Sequence, residues 1–421
     1  MFVQMKHVGA SVRRWIVLTL CATCGCGGFT LSEFNSPRST LGSEIAAAGA
    51  QSPFYETGPN NFLQSAELVD VNEQPRMIYG RIAGSLDVDV FDLGPVQPGD
   101  RIVVEMTPDE SLDGAIALFD DTGAALLIND HRNVYLGRSR PFVEVVIRRP
   151  GDACYVVAAA TPGYSAWGDY TLLAYKAEAT IPSSRSDTIL LVFSGGSGVT
   201  IGSRAPINVS PFDAADIDAK FTGQTGSIIR QIVSKVRADY AGLDITILST
   251  SEGARFQDPM SRLFFGSFDA ALLGVAEGVD EFNGARSQEA IVFTDTFEAF
   301  IRIQPTVTEM GQAIANVASH EIGHLMGLVH TADADGVMDV TASLNQLLDD
   351  QAFRRSALYS EVFPIGAQDA VQLLLDSLGG DLLLTVSKYV DGSLTKAYKR
   401  EPDGPPARSL YYLSSCGLEE E

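Results

Sequence analysis

Residues 320–330 read His320-Glu321-Ile322-Gly323-His324-Leu325-Met326-Gly327-Leu328-Val329-His330, so three of the chain's five histidines fall inside one short segment. His320 and His324 stand one helical turn apart, and both imidazoles can reach one cation from the same helix face. Gly327 lets the backbone leave that helix sharply, with positive φ, which brings His330 back as a third nitrogen ligand. Three nitrogen ligands leave a fourth position for water, which marks a catalytic zinc site and not a closed structural one. Zinc lowers the pKa of bound water to about 7 and polarises a carbonyl. Glu321 is the candidate base that takes the water's proton and later delivers it to a leaving amine. A lone His-Glu-x-x-His is only suggestive, but Gly327 and His330 at fixed offsets make a chance match improbable, on the order of one in 10⁵.

A helix must carry this segment, and its start is readable. Thr306 and Glu309 form a T-x-x-E capping box directly after Pro305. At 100° per residue, Met310, Ile314, Val317 and Leu325 fall on one stripe, the face expected to meet the core. Glu321 lies in the middle of that stripe, with His324 beside it and His320 on its margin. A carboxylate on a core-facing stripe is costly unless something compensates it, and a bound cation with a polarised water would do so. Upstream, Thr188–Phe193 is a continuous apolar run and a buried strand. Ser227–Tyr240 has helical periodicity, and Asp244–Leu248, Ala270–Val275 and Ala290–Thr294 read as further strands. Downstream, Leu344–Leu358 and Gly366–Leu378 read as helices.

The pattern H-E-x-x-H-x-x-G-x-x-H, followed by Met338 in Gly336-Val337-Met338-Asp339, resembles the metzincin signature with its Met-turn, placed as in matrixins. The resemblance implies an α+β zinc-protease domain with a twisted mixed sheet and an active-site helix. It implies His320, His324 and His330 as zinc ligands, Glu321 as catalytic base, Gly327 as the turn and Met338 beneath the metal. It also implies an edge strand on which substrate pairs as an extra strand; Ile291, Val292 and Phe293 are the candidates. Tyr359 lies too far beyond Met338 to be given a role as an extra ligand.

Residues 53–180 have a different texture. Short β-branched runs recur between turn signals: Met77–Ile82, Val88–Leu93, Arg101–Met106, Ala115–Phe119, Phe142–Ile147, Tyr155–Ala159 and Tyr170–Tyr175. Strands at that spacing predict an all-β sandwich. The stretches Pro59-Asn60-Asn61, Asp87-Val88-Asp89-Val90-Phe91, Leu118-Phe119-Asp120-Asp121-Thr122-Gly123 and Gly168-Asp169-Tyr170 resemble the bacterial pre-peptidase C-terminal domain. In that family the module usually follows a protease domain; here it precedes one. Asp87 and Asp89 are candidate Ca²⁺ ligands, although such aspartates more often cap turns and strand ends.

The expectation is therefore a multidomain chain: a leader at 1–28, a linker at 29–52, the β-sandwich at 53–180, the metzincin-type domain at 181–378 and a tail at 379–421. Lys6, Arg13 and Arg14 precede a short apolar run, Trp15 to Thr23, as in a bacterial export signal too short to span a bilayer. Of the five cysteines, Cys21, Cys24 and Cys26 sit at the leader's end, where one could carry a lipid anchor, and Cys154 and Cys416 could pair. His7 lies in the leader, and His131 falls in the sandwich. A net charge of −23 over 421 residues argues against nucleic acid as a partner. Protein or peptide is the expected substrate, and Zn²⁺ the cofactor. The competing class is a secreted or surface-bound adhesion protein that keeps the zinc but uses the sandwich; the intact Glu321 favours the enzyme.

Overall fold

The computed structural model describes residues 51–130, 140–163 and 167–381. The leader with its cysteines, nearly all of the first linker, His131, Cys416 and nearly all of the tail lie outside the described residues.

The N-terminal unit has ten strands: β1 (Phe54–Tyr55), β2 (Glu67–Leu68), β3 (Arg76–Ile82), β4 (Val88–Asp92), β5 (Asp100–Pro108), β6 (Gly114–Asp120), β7 (Ala125–Asn129), β8 (Phe142–Val146), β9 (Cys154–Ala160) and β10 (Gly168–Glu178). They form two five-stranded sheets, ordered β1-β3-β10-β5-β8 and β2-β4-β9-β6-β7. Ile78, Ile102, Val104 and Leu172 from the first sheet share one core with Phe91, Ile116, Leu118 and Val156 from the second. Cys154 is fully buried in that core, where desolvation pushes its thiol up to about 12, so it is a packing residue and not a reactive one. The second sheet is covered on its other face as well. Val88, Val90, Ala117, Phe119 and Val157 pack against Leu358 and Phe363 of the C-terminal unit.

The C-terminal unit is built on a second kind of sheet. Strands β11 (Asp187–Val192), β14 (Ile245–Ser249), β15 (Ser261–Phe265), β16 (Gly274–Ala276) and β17 (Glu289–Val292) take the order β14-β11-β15-β17-β16. The first four in that order run parallel, and β16 closes the edge antiparallel to β17. The hairpin β12 (Gly196–Val199) with β13 (Ile207–Val209) and the short helix α1 (Ala214–Ile217) follow β11. Both sheet faces are covered, which explains the unbroken apolar run in β11. Ile189 and Leu191 face one core, with Ile228, Ile232 and Val236 of helix α2 (Thr225–Asp239) and Ile314 of helix α3 (Val307–Leu325). Leu190 and Val192 face another, with Val199 and Val209 of the β12–β13 hairpin. Small residues let the helices close in: a Cβ on Gly311 of α3 would stand 2.6 Å from the Gln231 Cβ of α2.

Three expectations need correction. Residues 291–293 are not an edge: β17 is paired on both sides, by β15 and by β16, and Phe293 already lies beyond the strand. The edge is β16, which the sequence places only roughly because it is short and glycine-led. Residues 344–358 do not form a helix. Only Gln346–Leu348 make a 3₁₀ turn, because the carbonyls of Leu347 and Asp349 accept hydrogen bonds from the buried Asn316 amide at 2.9 and 2.8 Å, so they are engaged outside any helical ladder. Arg355–Ala357 then forms β18, paired with β19 (Ala367–Asp369), so only Ala370–Leu378 of the expected last helix is helical, as α4.

The two units meet at named contacts. Phe119 and Phe363 rings pack 5.8 Å apart, and Arg149 grips Asp376 through two bonds of 2.7 Å. No described helix is long and apolar enough to cross a membrane.

Candidate metal centre

Helix α3 starts where the sequence places it. Thr306 Oγ1 accepts from the Glu309 amide at 3.2 Å, and Glu309 Oε2 accepts from the Thr306 amide at 2.7 Å, so two otherwise orphaned N–H groups are satisfied. The amphipathic stripe does not survive, because every residue from Met310 to Leu325 is buried. The helix runs through the interior, held to α2 by Tyr240 Oη donating to Ser319 O at 2.8 Å. Its end is a Schellman motif: Leu328 N bonds to Gly323 O at 2.9 Å and Gly327 N to His324 O at 3.0 Å. Gly327 adopts φ +93°, and a Cβ there would also stand 2.9 Å from Asp280 O, so two reasons require glycine.

This turn brings the three imidazoles together. His324 Nε2 lies 3.0 Å from His320 Nε2 and 3.0 Å from His330 Nε2, and the three are the only described cluster of at least three His, Cys, Asp or Glu ligand atoms within 4.8 Å of one another. Two of the other ring nitrogens are committed to backbone carbonyls. His320 Nδ1 bonds to Val337 O and His324 Nδ1 to Leu328 O, both at 2.8 Å. A carbonyl only accepts, so each Nδ1 carries the proton and each Nε2 turns a lone pair toward the shared point. Burial pushes all three imidazoles down: His324 to about 4, His320 and His330 well below their usual value, with the neighbouring rings adding to the effect in the latter two. Neutral imidazoles with converging lone pairs are what a divalent cation of nitrogen preference needs.

Glu321 makes the case from the opposite charge. It is wholly buried, and neither carboxylate oxygen has a hydrogen-bond partner. Desolvation alone pushes its pKa well above the usual carboxylate value. A buried carboxylate without a partner is costly, and a cation beside it with an ordered water would offset that cost. The donor set and the orphaned acid together fit a zinc site with an open position.

Met338 is buried beneath the helix, and a Cβ on Gly323 would stand 2.5 Å from its Sδ. The same turn supplies the Val337 carbonyl to His320 and is closed by Thr331 N bonding to Met338 O at 2.9 Å. Several residues near the centre escaped sequence reading. Gly274 of β16 is pressed so close that a Cβ would collide with the Glu321 carboxylate. A glycine inside a strand pattern was the available signal for such an approach. Gln368 accepts from Val329 N at 2.7 Å and donates to Val329 O at 2.9 Å, next to the third imidazole. Nothing in its sequence context marks it. Ile291 and Val292 are buried in the parallel sheet and hold β16 in place. Tyr359 touches the site through its backbone, N bonding to His330 O at 3.1 Å.

Asp87 and Asp89 serve the N-terminal unit's own hydrogen bonding. Asp87 accepts from Ala83 N and Asn61 Nδ2, and the buried Asp89 accepts from Tyr170 Oη at 2.6 Å.

Residues 247–354 match the model of the Matrixin family, a span that contains the whole motif and Met338. No curated protein matches the chain. Among solved structures, archaemetzincin from Methanopyrus kandleri is similar at 15% identity and a TM-score of 0.26, covering 47% of this chain and 98% of its own. The pre-peptidase C-terminal domain of a Bacillus anthracis collagenase is similar at 13% identity and a TM-score of 0.21, covering 29% of this chain and all (100%) of its own. A periplasmic inhibitor of g-type lysozyme from Aeromonas hydrophila is similar at 12% identity and a TM-score of 0.20, covering 30% of this chain and 100% of its own.

Proposed function

We propose that this metzincin-like zinc peptidase is an exported bacterial endopeptidase, with residues 53–180 as a β-sandwich companion of pre-peptidase type and residues 181–378 as the catalytic domain. The observation that carries the reading is the convergence of three imidazole Nε2 atoms on one point beside an unpartnered, buried Glu321. His320, His324 and His330 would hold the zinc through Nε2. When bound, zinc supplies Lewis acidity, which brings water to a pKa of about 7 and polarises a carbonyl. Glu321 takes a proton from the attacking water as its oxygen bonds to the scissile carbon. The same carboxyl then gives that proton to the amine nitrogen as the C–N bond breaks. Burial raises its pKa above the usual carboxylate value, the direction that favours holding the proton until the amine takes it. Val337 O and Leu328 O keep the first two rings in the tautomer that ligates. Gly274 of β16, the outermost strand of the sheet, lies against the Glu321 carboxylate.

The test is metal analysis of the purified chain together with a casein or gelatin assay. Stoichiometric zinc with chelator-sensitive cleavage is the expected result. Stoichiometric zinc without cleavage across a broad peptide panel sinks the endopeptidase reading and leaves the adhesion protein; no zinc sinks the site. Gly274→Ala offers a second check. Its Cβ must displace the Glu321 carboxylate or Val317, so turnover should fall by about a hundredfold while zinc stays bound. Unchanged turnover would show that the position of the acid is not critical.

A further inference from the structure

We propose that the β6–β7 turn of the N-terminal unit is a working part of the third-ligand loop. It braces the β18–β19 hairpin, whose Gln368 clamps the Val329 backbone and so positions His330, given the reading above that the triad holds zinc. The connection is short and continuous. Ala367 N bonds to Gly123 O at 3.0 Å, and Ala124 and Ala367 form a parallel bridge, so β19 is registered on the turn. Across the hairpin, the Arg355 guanidinium donates to Thr122 Oγ1 at 2.7 Å and to the Thr122 carbonyl. Beneath the hairpin, Phe363 and Leu358 share a core with Phe119 and Val88.

The next residue in β19 after Ala367 is Gln368, which is 1% exposed and uses both ends of its amide on the two backbone polar groups of one residue, Val329. Such a two-point grip fixes the Val329 backbone against both sliding and rotation. Val329 lies between the carbonyl that orients one ligand and the next ligand itself: Leu328 O holds His324 Nδ1, and His330 follows. The hairpin also reaches His330 directly, since Tyr359 N bonds to its carbonyl at 3.1 Å and Thr331 bridges Leu358. Leu328 is anchored from the helix side, by its N–H donating to Gly323 O and its carbonyl accepting from His324 Nδ1, so the hairpin grips the stretch from the other end. Gln368 is thus a positioning residue, and the N-terminal unit sets it in place. Docking of the two units and metal affinity are then linked, and linkage is reciprocal.

The experiment uses the full chain and reads zinc affinity by competition with a chromophoric chelator, with visible absorption of the cobalt-substituted protein as a signature of ligand geometry. Gln368→Ala should weaken zinc binding roughly tenfold or more, the scale on which outer-shell partners act, and should change the cobalt spectrum. Gln368→Glu, which keeps the acceptor for Val329 N, should fall between it and the parent. Arg355→Ala should weaken binding in the same direction by about threefold, being one step further from the ligand. Arg149→Ala removes the ion pair between the N-terminal unit and helix α4, whose link back to β19 runs through Gln372 and Asp369 and bypasses the Gln368 amide, and should leave affinity within about twofold. If Gln368→Ala does not fold, Gln368→Glu and Arg355→Ala still decide. Zinc affinity unchanged in the foldable Gln368 and Arg355 variants overturns the proposal. So does an equal loss in Arg149→Ala, which would mean general loosening. A parent chain that binds no zinc overturns it together with the metal-site reading, whereas a parent that binds zinc with indifferent variants overturns it alone.

Discussion

Glu321→Gln is expected to lower peptide hydrolysis by about 10²–10⁴-fold while zinc remains stoichiometric, because a positioned acid–base group contributes on that scale and the substitution preserves shape. The three ligand nitrogens do not depend on this side chain: Val337 O and Leu328 O orient two of them, and the turn at Gly327 delivers the third. The same substitution has a second, opposite signature in the metal-free protein. Glu321 has a folded-state pKa raised above its usual 4.5 by burial. Its contribution to stability is therefore fully present below about pH 4.5 and is lost as pH rises toward the folded value. Glutamine carries no charge to bury, so the metal-free Gln variant should melt higher than the metal-free parent at pH 8, with a gap that narrows toward pH 4. Steady-state assays and melting curves at two pH values check both halves. Retained activity within about tenfold would remove Glu321 from the proton path.

Stripping the metal should abolish hydrolysis, restore it on zinc addition, and change how stability depends on pH. In the metal-free chain the three imidazoles have folded pKa values depressed from the usual 6.5, His324 to about 4. Below pH 6.5 the unfolded chain takes up protons that the folded chain refuses, so stability falls as pH drops from 6.5 toward the folded values. Glu321 acts in the other direction above pH 4.5. Between these values up to three histidine protons oppose one carboxyl proton, and the histidines win. Above pH 6.5 only the carboxyl effect remains, and stability falls as pH rises. The four groups alone thus predict a metal-free melting temperature that peaks near pH 6.5. With zinc present at a thousand times its Kd, about 4 kcal/mol of added stability should raise the whole curve at neutral pH, and the gain should shrink in acid as protons compete for the ligands. Melting scans across pH with and without chelator test this. A metal-free curve without a maximum in that region would contradict the burial of these groups.

The sequence carried the centre well because its determinants are local. Ligand spacing, capping box and C-terminal glycine all lie within one helix and its two ends, and each can be read from residues close in the chain. The edge strand was misplaced for a non-local reason: Ile291 and Val292 look like any apolar strand, and only the antiparallel addition of Gly274–Ala276 decides which is outermost. The helix read at 344–358 failed because a side chain far upstream, Asn316, captured the carbonyls that a helix would have used. Glu321 was correctly placed inside, yet the amphipathic argument for it was weaker than it looked, since α3 is enclosed on all sides. One signal of the contact between the units was present and unused. Ala115–Phe119 and Tyr155–Ala159 are unbroken apolar runs, whereas an antiparallel sheet with one wet face alternates. Such runs require cover on both faces, and Leu358 and Phe363 provide the second.

The enclosure of α3 also bears on time. His320, His324 and His330 are 3%, 1% and 7% exposed, and two of them sit on a helix with no solvent-facing side that could fray. A chelator can dock at the open position, but it cannot carry the ion away until a ligand lets go; the enclosed helix holds two of the three, so release waits for the segment after Gly327 to swing away. The rate of metal loss should therefore level off at high chelator concentration, at a ceiling equal to the opening rate of that segment. The ion's residence time then becomes a clock for one internal movement of the chain.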